Sequence, residues 1–249
     1  MRRYWVKEDS FGEGKVTLRG EDFHHICEVC RRQIGHRFEV LRKGEAFLVE
    51  LVARKKKEAE ARIIERRPLP SLKPPFIHLA LSVPRFSTMD KVVEKSVELG
   101  VYEVCPFFSD YSFVKDLKKI GGSRQKRWEK IVRSATEQTG RADLMPIQPP
   151  VSLEVLLDQI NPSQGILGLF FYEGQGGMDL RQALEKVKEV SLKKDVYLFI
   201  GGEGGFSQRE VSLLGQKGLE PISLGDQVLR VETACTATIA IIKYELGLI

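Results

Sequence analysis

The sequence predicts a small β domain followed by an α/β domain built on a parallel sheet. Three observations carry this reading: short β-rich pieces dominate before residue 70, prolines crowd residues 68–75, and continuous apolar runs then alternate with amphipathic helical patterns. A chain of 249 residues, 42% hydrophobic and 29% charged, can give each part its own core.

Strands are expected first over residues 15–18, 37–41, 46–52 and 61–64, parted by turn signals such as Arg42-Lys43-Gly44-Glu45. A helix over residues 22–32 interrupts them, which suggests a small β-barrel or sandwich with one helical insertion. Pro68-Leu69-Pro70-Ser71-Leu72-Lys73-Pro74-Pro75 has four prolines in eight positions and cannot hold regular hydrogen-bonded structure. The expected domains are therefore 1–70 and 76–249.

Beyond this boundary, strands are expected over residues 76–83, 101–108, 166–172, 196–200 and 221–224. Helices are expected over 88–99, 124–139, 153–159, 180–190, 208–215 and 232–246. Strands apolar throughout belong to a parallel sheet covered on both faces, and ligands of such sheets bind beyond the carboxyl ends of the strands. The last helix carries Ala234, Ala237, Ala240, Ile239, Ile241 and Ile242 and is apolar on nearly every side, so the sheet or a second subunit must cover it.

Charge is unevenly placed. Residues 1–75 hold 18 Lys and Arg against 12 Asp and Glu, whereas the remainder holds 21 against 22. A basic first third fits a polyanion-binding segment, although a solvated basic face explains the excess equally well. Arg2-Arg3-Tyr4-Trp5 sets cations beside aromatics, suited to phosphate contact and base stacking or simply to an amino-terminal strand. Arg54-Lys55-Lys56-Lys57 reads as a solvated hairpin. No apolar run approaches the roughly 20 residues that span a bilayer, and the first residues lack a signal peptide's apolar stretch. A cytoplasmic protein with no membrane partner is expected. Cys27, Cys30, Cys105 and Cys235 are too few for a disulfide framework. Cys27-Glu28-Val29-Cys30 beside His24 and His25 has the spacing of a metal or redox pair, but zinc needs four ligands, and Cys105 and Cys235 stand alone in predicted core elements. No metal is expected.

Two glycine turns stand out, each after a short apolar run and before a helical pattern: Ile200-Gly201-Gly202-Glu203-Gly204-Gly205-Phe206-Ser207, and Ser223-Leu224-Gly225-Asp226-Gln227-Val228-Leu229-Arg230-Val231-Glu232-Thr233-Ala234. The first contains no G-x-G-x-x-G frame and no Lys-Ser/Thr ending, which disfavours a dinucleotide or P-loop site. Glycines there let backbone groups approach one ligand closely.

These paired motifs resemble those of the RsmE family, the 16S rRNA uridine N3-methyltransferases of the SPOUT superfamily. Lys95-Ser96-Val97-Glu98-Leu99-Gly100-Val101, Ala135-Thr136-Glu137-Gln138-Thr139-Gly140-Arg141 and His25-Ile26-Cys27-Glu28-Val29-Cys30-Arg31 agree as well, in the family's order. The family usually has Pro in place of Gly202 and often Arg in place of Glu28, departures that loosen one loop and remove one cation. The resemblance implies a PUA-like β-barrel RNA-binding domain, then a SPOUT α/β domain with a trefoil knot. It also implies a homodimer, 16S rRNA of the small ribosomal subunit as partner, and S-adenosyl-L-methionine as cofactor. Carried over, the cofactor residues are Leu169, Phe170, Gly201, Gly202, Glu203, Gly204, Leu224, Gly225, Val228, Leu229, Arg230 and Thr233. Arg2, Arg3, His25, Arg31 and Arg32 fall to RNA binding.

Uracil N3 is a weakly acidic imide nitrogen that must lose its proton before it accepts a methyl group. Arg3, Arg141 or Arg230 is expected to stabilise the developing anion at O2 or O4, and Glu137 or Glu203 to orient those cations or receive the proton. Two other functions are carried alongside: a SPOUT ribose 2′-O-methyltransferase, and a non-catalytic RNA-binding assembly protein.

Overall fold

A computed structural model describes residues 1–160, 166–174, 177–188 and 195–249. The chain forms two compact units: Met1–Ser71 with Arg133–Leu144, and Leu72–Val132 with Met145–Ile249.

The first unit contains β1 (Arg3–Trp5), β2 (Phe11–Gly12), β3 (Lys15–Arg19), α1 (Gly20–Phe23), β4 (Arg37–Arg42), β5 (Glu45–Arg54) and β6 (Glu58–Pro68). They make one six-stranded mixed sheet of order β1-β4-β5-β6-β3-β2, parallel only between β1 and β4. Alternate residues point inward: Val16 and Leu18, Phe38 and Val40, then Phe47, Val49 and Leu51 meet Ala59 and Ala61 around Tyr4. The inserted helix is shorter than the sequence suggests. It continues from α1 as a π-helical stretch, His24–Val29, then breaks where Arg31 takes φ 52°. Phe23, Ile26 and Cys27 bury its inner face. The β5–β6 turn holds the Arg54 to Lys57 cations in solvent, closed by the Lys55 N–H donating to the Glu58 carbonyl at 2.8 Å.

A sequence division near residue 70 leaves out Arg133–Leu144, which packs with the first unit because its polar groups are satisfied there. The Arg133 guanidinium meets buried Asp22 and the Trp5 carbonyl, each at 2.6 Å. Glu137 accepts the Trp5 N–H at 2.9 Å, and the Gly44 N–H donates to the Ala142 carbonyl at 2.7 Å. Such distant pairings leave no periodic trace in a sequence.

The second unit is the expected α/β sheet. Its elements are β7 (Ile77–Ser82), α2 (Phe86–Glu98), β8 (Glu103–Phe108), α3 (Leu117–Thr139, of which residues 117–132 belong to this unit), β9 (Val151–Ser152), α4 (Leu153–Gln159), β10 (Leu167–Phe171), β11 (Met178–Asp179), α5 (Leu180–Lys188), β12 (Val196–Ile200), α6 (Gln208–Gln216), β13 (Pro221–Ser223) and α7 (Val231–Glu245). Of the helix expected over residues 180–190, Glu189 and Val190 lie outside the described residues. All seven strands are parallel in the order β11-β13-β10-β12-β7-β8-β9, and every residue of β7 is buried. Phe107, Phe170, Phe199 and Phe206 form the aromatic heart of one face. No helix among the described residues is long and apolar enough to cross a membrane.

Four helices among the described residues, α2, α3, α6 and α7, end on left-handed glycines, the last on Gly247 at φ 65°. After α2, the Val101 N–H donates to the Ser96 carbonyl at 2.9 Å and Gly100 N–H to Val97 at 3.1 Å, a Schellman closure with Gly100 at φ 69°. Gly218 closes α6 in the same way, through Leu219 to Leu214 at 3.1 Å and Gly218 to Gly215 at 2.9 Å. Gly140 ends α3 with a single bond to the Thr136 carbonyl at 2.8 Å. Two of the segments that carry the family resemblance, around Gly100 and Gly140, are thus helix terminators.

Candidate active site

The carboxyl ends of β13, β10, β12 and β7 lie side by side, and the chain leaving each contributes one wall of a cavity of about 520 Å³. Arg85, Thr88 and Lys91 follow β7; Tyr172 and Glu173 follow β10; Gly201, Gly202, Glu203 and Gly205 follow β12; and Leu224 to Glu232 follow β13.

The Ile200 to Ser207 motif explains itself residue by residue. Gly202 and Gly205 close a turn through the Gly205 N–H to the Gly202 carbonyl, 3.0 Å. A Cβ on Gly201 would stand 2.9 Å from the Gly205 Cα, and one on Gly205, which has φ 65°, would stand 1.9 Å from the Glu173 carboxylate. Glycine is required at both. Phe206 then plugs the core against Phe107 and Phe170. Ser207 opens α6 with a capping box: its hydroxyl accepts the Glu210 N–H at 3.3 Å and its own N–H reaches the Glu210 carboxylate at 2.9 Å. Glu210, fully buried, also accepts the Asp110 N–H at 2.9 Å. Asp110 in turn takes the Ser207 hydroxyl at 2.5 Å and Arg209 at 2.8 Å, and Arg209 first, then Ser207, brings its carboxyl down to about 2.

Glu203 projects toward the start of α2. Its carboxylate accepts the Arg85 N–H at 3.1 and 3.2 Å and the Thr88 hydroxyl at 3.0 Å, where the helix dipole favours a negative charge. Across the cavity, Glu232 lies in the first turn of α7 and meets Lys91 at 3.1 Å; a backbone N–H first, then Lys91, holds its carboxyl below the usual range.

Of the cofactor residues expected from the sequence, Gly201, Gly202, Glu203, Leu224, Gly225, Val228, Leu229 and Arg230 line this cavity. Leu169 and Phe170 do not: both are buried inside β10, and Phe171, Tyr172 and Glu173 at the strand end take that place. Gly204 faces Tyr111, and Thr233 lies exposed beside an apolar patch with Thr236 and Ala237. Sequence reading missed Arg85, Thr88, Lys91 and Glu173; the expected strand ends at residues 83 and 172 were the available signal.

The five expected catalytic residues divide between the units. Arg3, Glu137 and Arg141 belong to the first and are engaged: Arg3 with Glu39 and the Gln138 carbonyl, each at 3.0 Å, Glu137 with Trp5 and Arg133, and Arg141 with Asp143 at 2.6 Å. Burial would raise the Glu39 carboxyl, but Arg67 and Arg3 outweigh it and hold it low. In the second unit, Glu203 is bound as described. Arg230, exposed at the start of α7, makes no side-chain hydrogen bond or ion pair among the described residues.

Arg2, His25 and Arg32 gather around Tyr4 and Cys30. Arg2 reaches the Cys30 sulfur at 3.5 Å, Arg32 the Tyr4 hydroxyl at 3.2 Å, and the His25 ring stands edge-on to Tyr4. Arg31 is exposed beside them. Cys27 is buried in the core and its thiol is pushed up by that burial, whereas Cys30 faces the surface, so the C-x-x-C pair does not present two thiolates to one ion.

A parallel α/β domain with its cavity over adjacent strand ends, in one chain with a β-rich unit, is compatible with an RNA-modifying enzyme. Family models agree: an RNA methyltransferase domain matches residues 72–243 and an RNA methyltransferase PUA domain matches residues 18–64. The chain is 32% identical over 243 residues to the ribosomal RNA small subunit methyltransferase E of Aquifex aeolicus, covering 96% of this chain and 97% of that one. The enzyme of the same name from Bacillus subtilis is 25% identical, with 100% and 98% covered. Among solved structures, that of Neisseria gonorrhoeae ribosomal RNA small subunit methyltransferase E bound to S-adenosyl methionine superposes with TM-score 0.81 at 26% identity, covering 98% and 97%. A Legionella pneumophila methyltransferase in complex with the same cofactor gives 0.85 at 28%, covering 97% and 96%. The chain belongs to the ribosomal RNA small subunit methyltransferase E family, and the α/β fold of SPOUT type with an amino-terminal PUA domain is the one its sequence leads to.

Proposed function

We propose that this chain methylates N3 of a uridine in 16S rRNA with S-adenosylmethionine as donor. The observation that carries the reading is the cavity over four adjacent strand ends, in a chain of this family. The cavity fits the donor in size and in chemistry. Gly201 and Gly205 keep clear the space a Cβ would fill, and Phe171, Ile200, Leu224 and Leu229 offer apolar surface for an adenine. Glu173, Asp226 and Glu232 offer negative charge for a sulfonium and an amino group. Bound there, the donor supplies an electrophilic methyl group.

The protein's own part is positioning and field. Arg230, exposed at the cavity edge and free of side-chain hydrogen bonds and ion pairs among the described residues, stabilises the uridine anion as N3 loses its proton. Glu203 shapes the cavity by holding the start of α2. Arg3, Glu137 and Arg141 maintain the surface of the first unit on which the substrate lies. Arg2, Arg31, Arg32 and His25 form its phosphate-binding edge. A second copy of the chain covers the apolar patch of α2 and α7 near Ala237, making a homodimer, and the enzyme works in the cytoplasm, with the PUA domain over residues 1–70 and the methyltransferase domain over 76–249.

The test is transfer of labelled methyl to naked 16S rRNA and to assembled small subunits, followed by nucleoside identification. N3-methyluridine is the expected product. A ribose-methylated nucleoside establishes the 2′-O-methyltransferase instead, and no transfer to either substrate overturns the enzymatic reading.

A further inference from the structure

At the opposite end of the parallel sheet, the amino ends of β7 and β8 bring together three potential metal ligands that the methyl-transfer site does not use. The register pairs His78 with Glu103 and Ala80 with Cys105, so the imidazole, the carboxylate and the thiol rise from neighbouring strands on one face. Their donor atoms lie within 4.8 Å of one another, and they are the one such group of three among the described residues.

Their surroundings are those of a ligand set. His78 Nδ1 is 2.7 Å from a Glu103 oxygen. Its Nε2 is buried, makes no hydrogen bond, and stands 3.5 Å from the Asp195 carboxylate. A carboxylate behind the far nitrogen is the usual outer partner of a metal-binding imidazole. The second Glu103 oxygen accepts the Gln148 amide at 2.5 Å, which holds the carboxylate in place. Tyr197 stacks on the imidazole at 4.2 Å between centroids and locks the ring plane. A cavity of about 410 Å³ is lined by Glu103 and Cys105, with Gln148 and Tyr197 but not His78, and leaves room for a fourth ligand, a water.

We propose that His78 Nδ1, Glu103 and Cys105 bind a borderline divalent cation, zinc being the best match, at a structural site separate from the methyl-transfer cavity. Imidazole, thiolate and carboxylate together select zinc over magnesium or calcium. Tetrahedral bonds of about 2.0 to 2.3 Å set donor atoms roughly 3.3 to 3.8 Å apart, so the 2.7 Å contact between His78 and Glu103 opens as the ion enters. The Cys105 proton, and any proton on Nδ1, leave to solvent as the bonds form. The site clamps β7 to β8 and acts on stability, with no part in the chemistry.

The test uses the full-length chain, freed of metal by a chelator and titrated with zinc chloride by calorimetry and with cobalt chloride by absorption. One zinc per chain, a rise in Tm on addition, and a thiolate-to-cobalt charge-transfer band are expected. Cys105→Ser and His78→Asn abolish the band; Asp195→Asn, acting through His78, weakens zinc binding about 10- to 100-fold with stoichiometry unchanged. If Cys105→Ser fails to fold, the triple variant Cys27→Ser, Cys30→Ser, Cys235→Ser decides, since Cys105 is then the only thiol: a retained band supports the site and a lost one overturns it. Absence of stoichiometric binding by the unmodified chain also overturns it.

Discussion

The two glycine loops that face each other across the cavity are built in opposite ways. Around residues 201–205 the chain is pinned from every side: Gly201, Gly202 and Gly205 are buried, Glu203 is bonded to the start of α2, and Ser207 anchors the exit through Glu210 and Asp110. Around residues 224–230 the chain is open. Gly225, Asp226, Gln227 and Val228 are exposed, with Val228 at 79%, and local order rests on the exchange between Ser223 and Gly225, at 3.2 and 3.4 Å. The first loop is shaped by the protein's own contacts, and the second leaves most of its residues to solvent. One cavity thus joins a closely bonded wall to an exposed one, with Arg230 on the open side.

That contrast can be broken at graded cost. Arg230→Ala on the open side removes charge stabilisation and should lower kcat by roughly 10²- to 10³-fold, with the S-adenosylmethionine Kd changed only a few-fold. Single-turnover kinetics beside calorimetry separate the two. An equal loss in both would move Arg230 from chemistry to binding.

Gly205→Val on the pinned side forces a branched side chain to φ 65° and into Glu173. It should cost about 2 to 3 kcal/mol, a fall in Tm of roughly 5 to 10 °C, and abolish measurable cofactor binding. Glu203→Ala leaves the Arg85 N–H and the Thr88 hydroxyl without their acceptor. About 1 kcal/mol of stability and a several-fold rise in cofactor Kd are expected, and Glu203→Gln should recover part of both. An unchanged Tm in Glu203→Ala would show that the loop holds without this tie.

Asp110 supplies a pH test of the same anchor. Its folded carboxyl titrates near about 2, below the roughly 3.9 of an unfolded Asp, so its contribution is complete above the higher value and disappears as pH falls toward the lower. Asp110→Asn should flatten the stability profile in that window, as read by urea midpoints across pH. Val228→Ala should be the mildest change, within about 0.5 kcal/mol, because the side chain is exposed.

How much of this a sequence shows depends on how local the cause is. Apolar runs such as residues 196–200 and the amphipathic stretches beside them revealed the parallel sheet, since burial on two faces leaves a continuous signal. Two-residue strands β9 and β11 left none. The glycine motifs located the cavity, but the wall from β10 comes from Phe171 to Glu173 and not Leu169 or Phe170, because a strand's register fixes which residue stands at its end. Arg133 with Asp22, and His78 with Glu103, are paired only by the finished fold.

The helix-ending glycines bear on how the chain tolerates change in length. A residue inserted within α2 would turn the rest of the helix by about 100° and carry its apolar stripe away from the sheet. Gly100, free to adopt a left-handed turn, restarts the count just before β8. Gly140 and Gly218 do the same after α3 and α6. They act as punctuation that confines a framing error to the segment in which it arises, so the strand ends that meet at the cavity stay aligned while the helices between them vary.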